Sequence, residues 1–528
     1  MKSVPFKNTG YFSKLICNYL DKDAKIAPFY DNFPDITGFK KQIDIRTDKK
    51  EVIDRPALVE ALLGQYQNIQ TSVSTKQNID FLKRKTTFTV TTGHQLNLFT
   101  GPLYFIYKII ATINLAERLK KEFPKNDFVP VYWMATEDHD FEEINFFNFK
   151  DKKVQWKHES QGAVGRLSTE GLDNIFDMFS SQLDRSKNAD ELRLLFQEAY
   201  LKHSNLTDAT RYLANALFGT YGLVIVDGDD VLLKKLFIPY VEEELLDKTS
   251  FKKVSDTIKN LKKEYKTQVN PREINLFYLT DGLRERILLE DSGYRVNNTD
   301  ISWNAEEMLK EVSDFPERFS PNVILRPLYQ EVILPNLCYI GGGGELAYWF
   351  ELKSMFTEFQ VPFPILMLRA SAVLATSKQV QKLKKLTISN EEIFLKQNDL
   401  ISKKIKDISD ISIDFSSQRK YLQQQFKDLE LLAKQTDESF LGAVKAQEAK
   451  QLKGLNKLEK RLLKAQKRKM NAIVDRITIL QDQLFPKQRL EERYRNFSEI
   501  YVAHGKYFME KLKEELDPLL GEFQIIEL

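Results

Sequence analysis

The sequence predicts an α/β protein: a doubly wound parallel-sheet core with helical insertions, followed by a C-terminal α-helical coiled coil. Three observations lead there. From residue 86 to about 369, short strand-like runs are followed by a turn and a helical stretch. Polar clusters stand at the ends of those runs, at 92–95, 137–140 and 341–344. After about 376, Lys, Gln, Glu and Leu dominate, and only Gly442, Gly454 and Pro486 interrupt them before 491.

Residues 1–85 read as a helical lead-in, with Arg55-Pro56 opening a helix through Leu58, Leu62 and Leu63. A strand over 87–90 and an amphipathic helix after Gly101-Pro102, through Ile106, Ile109, Ile110, Ile113 and Leu119, come next. Residues 129–135 are nearly all apolar, as a strand buried on both faces should be. The three make a βαβ unit with a right-handed crossover. Further strands are expected at 223–226, at 322–325 just before Arg326, at 337–340 and at 364–368, with a helix over 345–356. Polar stretches at about 150–215 and 240–320 are the insertions, so 1–375 forms the core.

The coiled coil is placed at 376–490. Leu422, Phe426, Leu429 and Ala433, and then Met470, Ile473, Ile477, Leu480 and Leu484, alternate spacings of three and four. Arms over 378–410 and 416–484, turning at 407–414, suggest an antiparallel hairpin or a dimer stalk, weakened by Gly454 and by Glu459 and Gln466 at seam positions. The tail, 491–528, ends in a strand-like segment at 522–526 that could return to the core.

At 528 residues the chain is too long for one simple core. Its 78 basic and 75 acidic residues nearly cancel, which gives no electrostatic case for nucleic acid or an anionic membrane as partner. Cys17 and Cys338 build neither a disulfide framework nor a zinc motif, and a reducing cytoplasm fits them best. No segment reaches the ~18 apolar residues of a membrane span. The expectation is a soluble, cytoplasmic protein.

In open α/β sheets the chemistry collects outside the carboxyl ends of the strands. Gly93-His94-Gln95 sits at one such end: backbone N–H groups there could bind an anion, and His94 could donate to a phosphate or an oxyanion, or simply cap the helix. Asn97 and Tyr104 are secondary candidates. Glu137-Asp138-His139-Asp140 cannot all be buried unpartnered; the cluster suits general acid/base work or a divalent ion such as Mg²⁺, or else a solvated strand exit. No zinc set accompanies it. Gly341, Gly342, Gly343 and Gly344 before Glu345 look like a phosphate- or carboxylate-binding loop, although neither a Walker A nor a dinucleotide fingerprint is present. Arg326, with Gln330 one turn on, is a natural carboxylate clamp or a structural ion pair.

Thr92-Gly93-His94-Gln95, Thr100 to Tyr104, Trp133 to Asp140, Gly222 to Asp227, Leu325-Arg326-Pro327 with Gln330, and Gly341 to Trp349 occur in an order that resembles one family, the cysteine-adding enzyme of bacillithiol biosynthesis, BshC. The resemblance implies a Rossmann-like core with two connecting insertions, a dimerising coiled coil, and a ligase joining the carboxylate of cysteine to the amine of glucosaminyl-malate. A free carboxylate needs activation, so ATP or another nucleotide is the implied energy source. On this reading His94 and the N–H groups at the start of the Gly101 helix hold the activating phosphate or oxyanion. Glu137, Asp138 and Asp140 position an ion or the sugar amine, with His139 as proton acceptor. Arg326 and the 341–344 loop hold the malyl carboxylates. The alternatives are a metal-dependent hydrolase or nucleotidyltransferase using the same cluster, and a coiled-coil scaffold whose strand ends line no pocket.

Overall fold

Five strands form the central sheet of the computed structural model, which describes residues 3–48, 53–290, 293–436 and 438–528. They are β1 (Thr87–His94), β2 (Asp127–Met134), β3 (Val224–Asp227), β4 (Asn336–Gly341) and β5 (Ile365–Leu368), in spatial order 5-4-1-2-3 and parallel throughout. The order reverses between β1 and β4, and that reversal is the switch point at which such sheets open a crevice. β1 runs four residues beyond the predicted strand, since Thr91 to His94 stay paired with Val131 to Met134. A threonine-rich strand can be central because its hydroxyls are satisfied: Thr89 and Thr91 bond Asn336, and Thr92 donates to the Ile340 carbonyl at 2.8 Å. The crossover helix α1 (Tyr104–Glu122) is buried on most of its surface and ends with Lys120 and Lys121, which complement its C-terminal dipole.

Both insertions leave from carboxyl ends of strands. The first, after β2, is a short hairpin (Phe146–Phe149 with Lys152–Gln155) followed by helices Leu172–Gln182, Lys187–Phe196 and Leu206–Phe218. The second, after β3, is not wholly helical as predicted. Helices Ile238–Asp247 and Thr249–Leu261 lead into a five-stranded antiparallel sheet of Leu276–Thr280, Leu283–Glu290, Gly293–Val296, Ser302–Trp303 and Phe319–Pro321. Its cause is Asp281-Gly282, a two-residue hairpin turn with Gly282 at φ 74°, flanked by residues with β alternation.

The expected strand at 322–325 is also overturned. Leu325–Ile333 is a helix, α2, and Arg326 lies in its first turn. Asn322 accepts from the Ile324 and Leu325 N–H groups, and Pro327 is tolerated where no intrahelical donor is needed. After β4, Gly343–Glu351 forms helix α3.

The chain divides into two units. One comprises Ser3–Val373 with Glu492–Ile526, and the other Leu374–Glu491 with Glu527–Leu528. Within the first, Ser3 to Pro5 pair antiparallel with Glu522 to Gln524. Within the second, the arms differ from prediction. The 378–410 arm is broken into Ser377–Lys385 and Gln397–Ile408, and the chain reverses not at 407–414 but between α4 (Ser416–Ala433) and α5 (Glu438–Lys469). Arg419 pairs with Glu459 at 2.7 Å while Ala433 packs near Val444, an antiparallel register. The heptad residues Phe426 and Ala433 are therefore buried within one chain, and the seam Glu459 is neutralised by Arg419. No helix among the described residues is long and apolar enough to cross a membrane.

Candidate active site

A cavity of about 870 Å³ opens at the switch point, its floor made by the ends of β1, β2 and β4 and its far wall by the antiparallel insertion. Gly93 is at the β1 end because a side chain there would meet the Tyr339 hydroxyl at 3.0 Å; its absence lets Tyr339 and Arg326 approach the strand. His94 follows, only 8% exposed, edge-on to Tyr104 with centroids 5.4 Å apart. Burial, and then the charges of Lys108 and Arg369, push its pKa well below the usual imidazole value, so the ring is neutral. Among the described residues its buried Nε2 has no hydrogen-bond partner.

Lys108, fully buried on α1, crosses beneath the strand end. Its ammonium donates to the Gly93 carbonyl at 2.5 Å and to both Glu345 oxygens at 2.9 Å. Burial lowers its pKa against the opposing pull of Glu345. Glu345 also accepts from the Tyr339 hydroxyl at 2.9 Å. Arg326 lies over the Tyr339 ring and donates to Gln330 at 3.1 Å and to Tyr348 at 3.4 Å. Among the described residues it forms no ion pair with a carboxylate, so its charge stands open to the cavity.

The 137–140 cluster is divided by its partners. Glu137 is neutralised by the buried Lys234, which also donates to the Phe319 carbonyl at 2.7 Å. Asp138 accepts from Gln95 at 2.8 Å and from the His139 N–H at 2.8 Å. Burial opposes its ionisation, but the hydrogen bonds from His139 and Gln95 and the nearby Arg284 outweigh it and hold the carboxyl below the usual range. His139 is exposed, and its Nδ1 accepts from Arg284 at 2.7 Å, which places the ring hydrogen on Nε2. Asp140 is exposed outside the cavity.

The structure thus gathers Gly93, His94, Gln95, Tyr104, Glu137 and Asp138 in one cavity, with His139, Arg326 and Glu345 completing the set. It does not bring Asn97, Asp140, Gln330 or the 341–344 loop to the lining. Asn97 donates to the Glu143 carbonyl and packs under Gly101. Gln330 is wholly buried and holds Arg326. At Gly341 and Gly343 the close approach is to Leu346, Tyr339, Glu345 and Ile16, the protein's own side chains. The N–H groups expected to make an anion site before α1 are spent locally: Gly101 donates to Leu98, Leu103 to Arg495 and Phe105 to Pro102.

Sequence reasoning passed over Lys108 and Lys234, and also Arg272, Arg284 and Arg286 on the cavity wall. The signals were present: a lysine inside the apolar run 105–111, and arginines two apart after an Asp-Gly turn. Among the described residues no group of three or more His, Cys, Asp and Glu side chains is arranged to hold a metal ion. Glu137 is bound by Lys234, so the cluster does not fit the divalent ion the sequence suggested.

A Rossmann-like core with its polar cavity at the switch point is the architecture of an α/β enzyme. Residues 1–370 match the family described as "Bacillithiol biosynthesis BshC, N-terminal Rossmann-like domain", and residues 372–528 match its C-terminal coiled-coil domain. The chain is 56% identical over 531 residues to a Christiangramia forsetii protein (99% of this chain, 98% of that one) and 55% identical over 525 to one from Flavobacterium johnsoniae (99% of each). A more distant relative, from Cytophaga hutchinsonii, is 37% identical over 530 residues, covering 99% of this chain and 98% of that one. All three bear the name "Putative cysteine ligase BshC". The chain belongs to the BshC family.

Proposed function

We propose that this protein is the carbon–nitrogen ligase that joins the carboxyl group of cysteine to the amine of glucosaminyl-malate, giving bacillithiol. The observation that carries the reading is the pairing, in one cavity, of a neutral His94 and an ionised Asp138: among the described residues Nε2 of the first has no partner, and no Lys or Arg pairs directly with the second. Amide formation needs stabilisation of an oxyanion where the amine attacks and a carboxylate to hold that amine. With Lys108 and Arg369 close by, His94 resists becoming imidazolium, so it serves as a neutral hydrogen-bond donor to the acyl oxygen rather than as a base. Asp138, held ionised, accepts hydrogen bonds from the amine and orients it, and the departing proton passes to the leaving phosphate. His139, its Nδ1 engaged by Arg284, is poorly placed to take that proton. Arg326 takes the carboxylate of the amino acid.

A nucleoside triphosphate, ATP or a relative, supplies the phosphoryl group that turns the carboxylate oxygen into a leaving group; any Mg²⁺ would arrive with it, and no step is assigned to a protein-held ion. A hydrolase or nucleotidyltransferase built on the 137–140 cluster would need Glu137 free of Lys234, and a mere scaffold would have no use for this cavity. Two free cysteines accord with a cytoplasmic home. Exposed apolar residues on the helical hairpin, among them Tyr421, Leu431, Leu432 and Phe440, favour a homodimer formed through it.

The test is to incubate the full chain with cysteine, glucosaminyl-malate and ATP and analyse products by mass spectrometry. The thiol-bearing amide is expected, with His94→Ala slowing its formation by roughly 10²- to 10³-fold. Nucleotide turnover with no amide, or full activity in a folded His94→Ala, would overturn the reading.

A further inference from the structure

We propose that the antiparallel insertion is the specificity wall of this cavity, and that Arg284 and Arg286, with Arg272, bind the dianionic end of the amine substrate. The proposal rests on the ligase reading for the substrate's identity, but its geometry stands apart from the chemistry. Arg284 and Arg286 are two residues apart in one strand, so both side chains leave the same face of the sheet, and both line the cavity. Arg272 joins them from the segment that leads into the strand Leu276–Thr280.

Four buried cations near the sheet have carboxylate partners: Lys108 has Glu345, Lys234 has Glu137, Arg369 has Glu492 and Arg46 has Glu331, whereas on the cavity wall Arg284 and Arg286 are half-buried and Arg272 is exposed. Among the described residues Arg272, Arg284 and Arg286 have none. Arg284 is fixed all the same, lying 4.0 Å over the Phe277 ring and donating to the Ser320 hydroxyl at 3.3 Å and to His139. Burial costs its charge, and Glu137 and Asp138 only partly relieve it. Glu285, the acid on this wall, is turned into Asn297 and Asn298, which donate to it at 3.2 and 3.3 Å. An aligned set of guanidinium groups without counter-ions is a receptor for carboxylates, which Arg binds in a planar, bidentate fashion.

Charge also separates the two substrates. The strand-end side of the cavity offers one unpaired arginine, Arg326, and suits the single carboxylate of an amino acid. The insertion wall offers three and suits a dicarboxylate. A volume of about 870 Å³ holds both at once. Docked in this way, the sugar between the walls presents its amine toward Asp138 and His94.

The experiment measures binding of glucosaminyl-malate and of methyl glucosaminide, which lacks the dicarboxylate, to the full chain by calorimetry without cysteine or nucleotide. It is paired with steady-state kinetics. Arg286→Ala is expected to weaken glucosaminyl-malate binding roughly 10- to 100-fold, to raise KM for that substrate in parallel, and to leave KM for cysteine unchanged. Arg286→Lys should recover part of the loss, and Arg284→Ala should behave like Arg286→Ala. Wild-type binding of glucosaminyl-malate no tighter than of methyl glucosaminide would overturn the proposal. So would unchanged binding in both alanine variants while the amide still forms. If the amide never forms but the dicarboxylate still binds through Arg286, the wall stands and the ligase reading falls.

Discussion

Replacing Lys234 with Met separates a structural Glu137 from a chemical one. The Lys234 side chain is 1% exposed and Glu137 11%, so the substitution leaves a carboxylate nearly out of water without its counter-ion. Breaking such a pair costs about 3–5 kcal/mol, and the neighbouring Arg284 places the loss toward the lower end. The Phe319 carbonyl, which accepts from Lys234 at 2.7 Å, loses its donor too, adding about 1 kcal/mol. The sum is about 4 kcal/mol. Lys234→Met with Glu137→Leu removes both charges and should return to within roughly 1–2 kcal/mol of wild type. Urea unfolding followed by tryptophan fluorescence reads this unit alone, because Trp133, Trp156, Trp303 and Trp349 all lie in it and are the chain's four tryptophans. A Lys234→Met variant as stable as wild type would refute the energetic argument. A double variant restored in stability but slowed more than about 100-fold in amide formation would refute the structural assignment of Glu137.

Glu351 is wholly buried and accepts from the Gln268 and Val269 N–H groups; burial lifts its pKa to about 7 despite those bonds. A carboxyl raised in the fold is most comfortable protonated, so stability should fall as pH rises from near 4.5 to about 7 and then level off; Glu351→Gln should remove up to ~3 kcal/mol of that decline, and an unaltered pH profile of the urea midpoint would count against it. Asn496→Ala removes donors to the Phe99 and Gly101 carbonyls at 2.7 and 2.6 Å and should destabilise by roughly 3 kcal/mol, with faster hydrogen exchange confined first to 97–103; uniform exchange across the sheet would argue otherwise. Lys108→Met strands Glu345 beside Tyr339 and should cost amide formation more than it costs cysteine binding, read as a fall in kcat with KM for cysteine held; the reverse split would place Lys108 in substrate binding.

The parallel core was legible because buried strands write themselves as apolar runs: Val129 to Met134 needed no tertiary information, nor did the crossover after Pro102. Arg326 shows where that logic fails. Asn322 to Leu325 is as apolar as a strand, but the Asn322 side chain caps the following turn, and a cap outweighs periodicity over four residues. The heptads revealed that the helices pack but not with which partner, since Phe426 against Val444 is the same a/d chemistry within a chain as between chains. His94 and Asp138 were found by their position at strand ends. Their states were hidden, because neutrality at His94 depends on burial and on the charges of Lys108, within α1, and Arg369, just past β5. Neither cation belongs to the motif that holds the histidine, and only the folded sheet brings them to it.

The two insertions look alike in composition, yet the sheet gives them different work. Both depart from carboxyl ends of strands, so both must lie at the edge where His94 ends β1. Among the described residues the first contributes nothing to the cavity lining after His139; instead Phe179 and Phe196 grip the Phe99 ring, and the Tyr200 hydroxyl accepts from the Phe99 N–H at 2.8 Å. That grip is needed because Phe99 and Thr100 sit at φ 46° and 69°, conformations an L-residue keeps only when its surroundings impose them. The loop so held leads directly into Tyr104 and α1, and thus sets His94's edge-on neighbour and Lys108. The second insertion leaves that loop alone and turns Arg284 and Arg286 toward the open side. On the proposed reading, one insertion fixes the groups that act on the acyl carbon, and the other selects what is brought to them. Substitutions in the first should alter kcat for every amine, whereas those in the second should alter which amine is accepted.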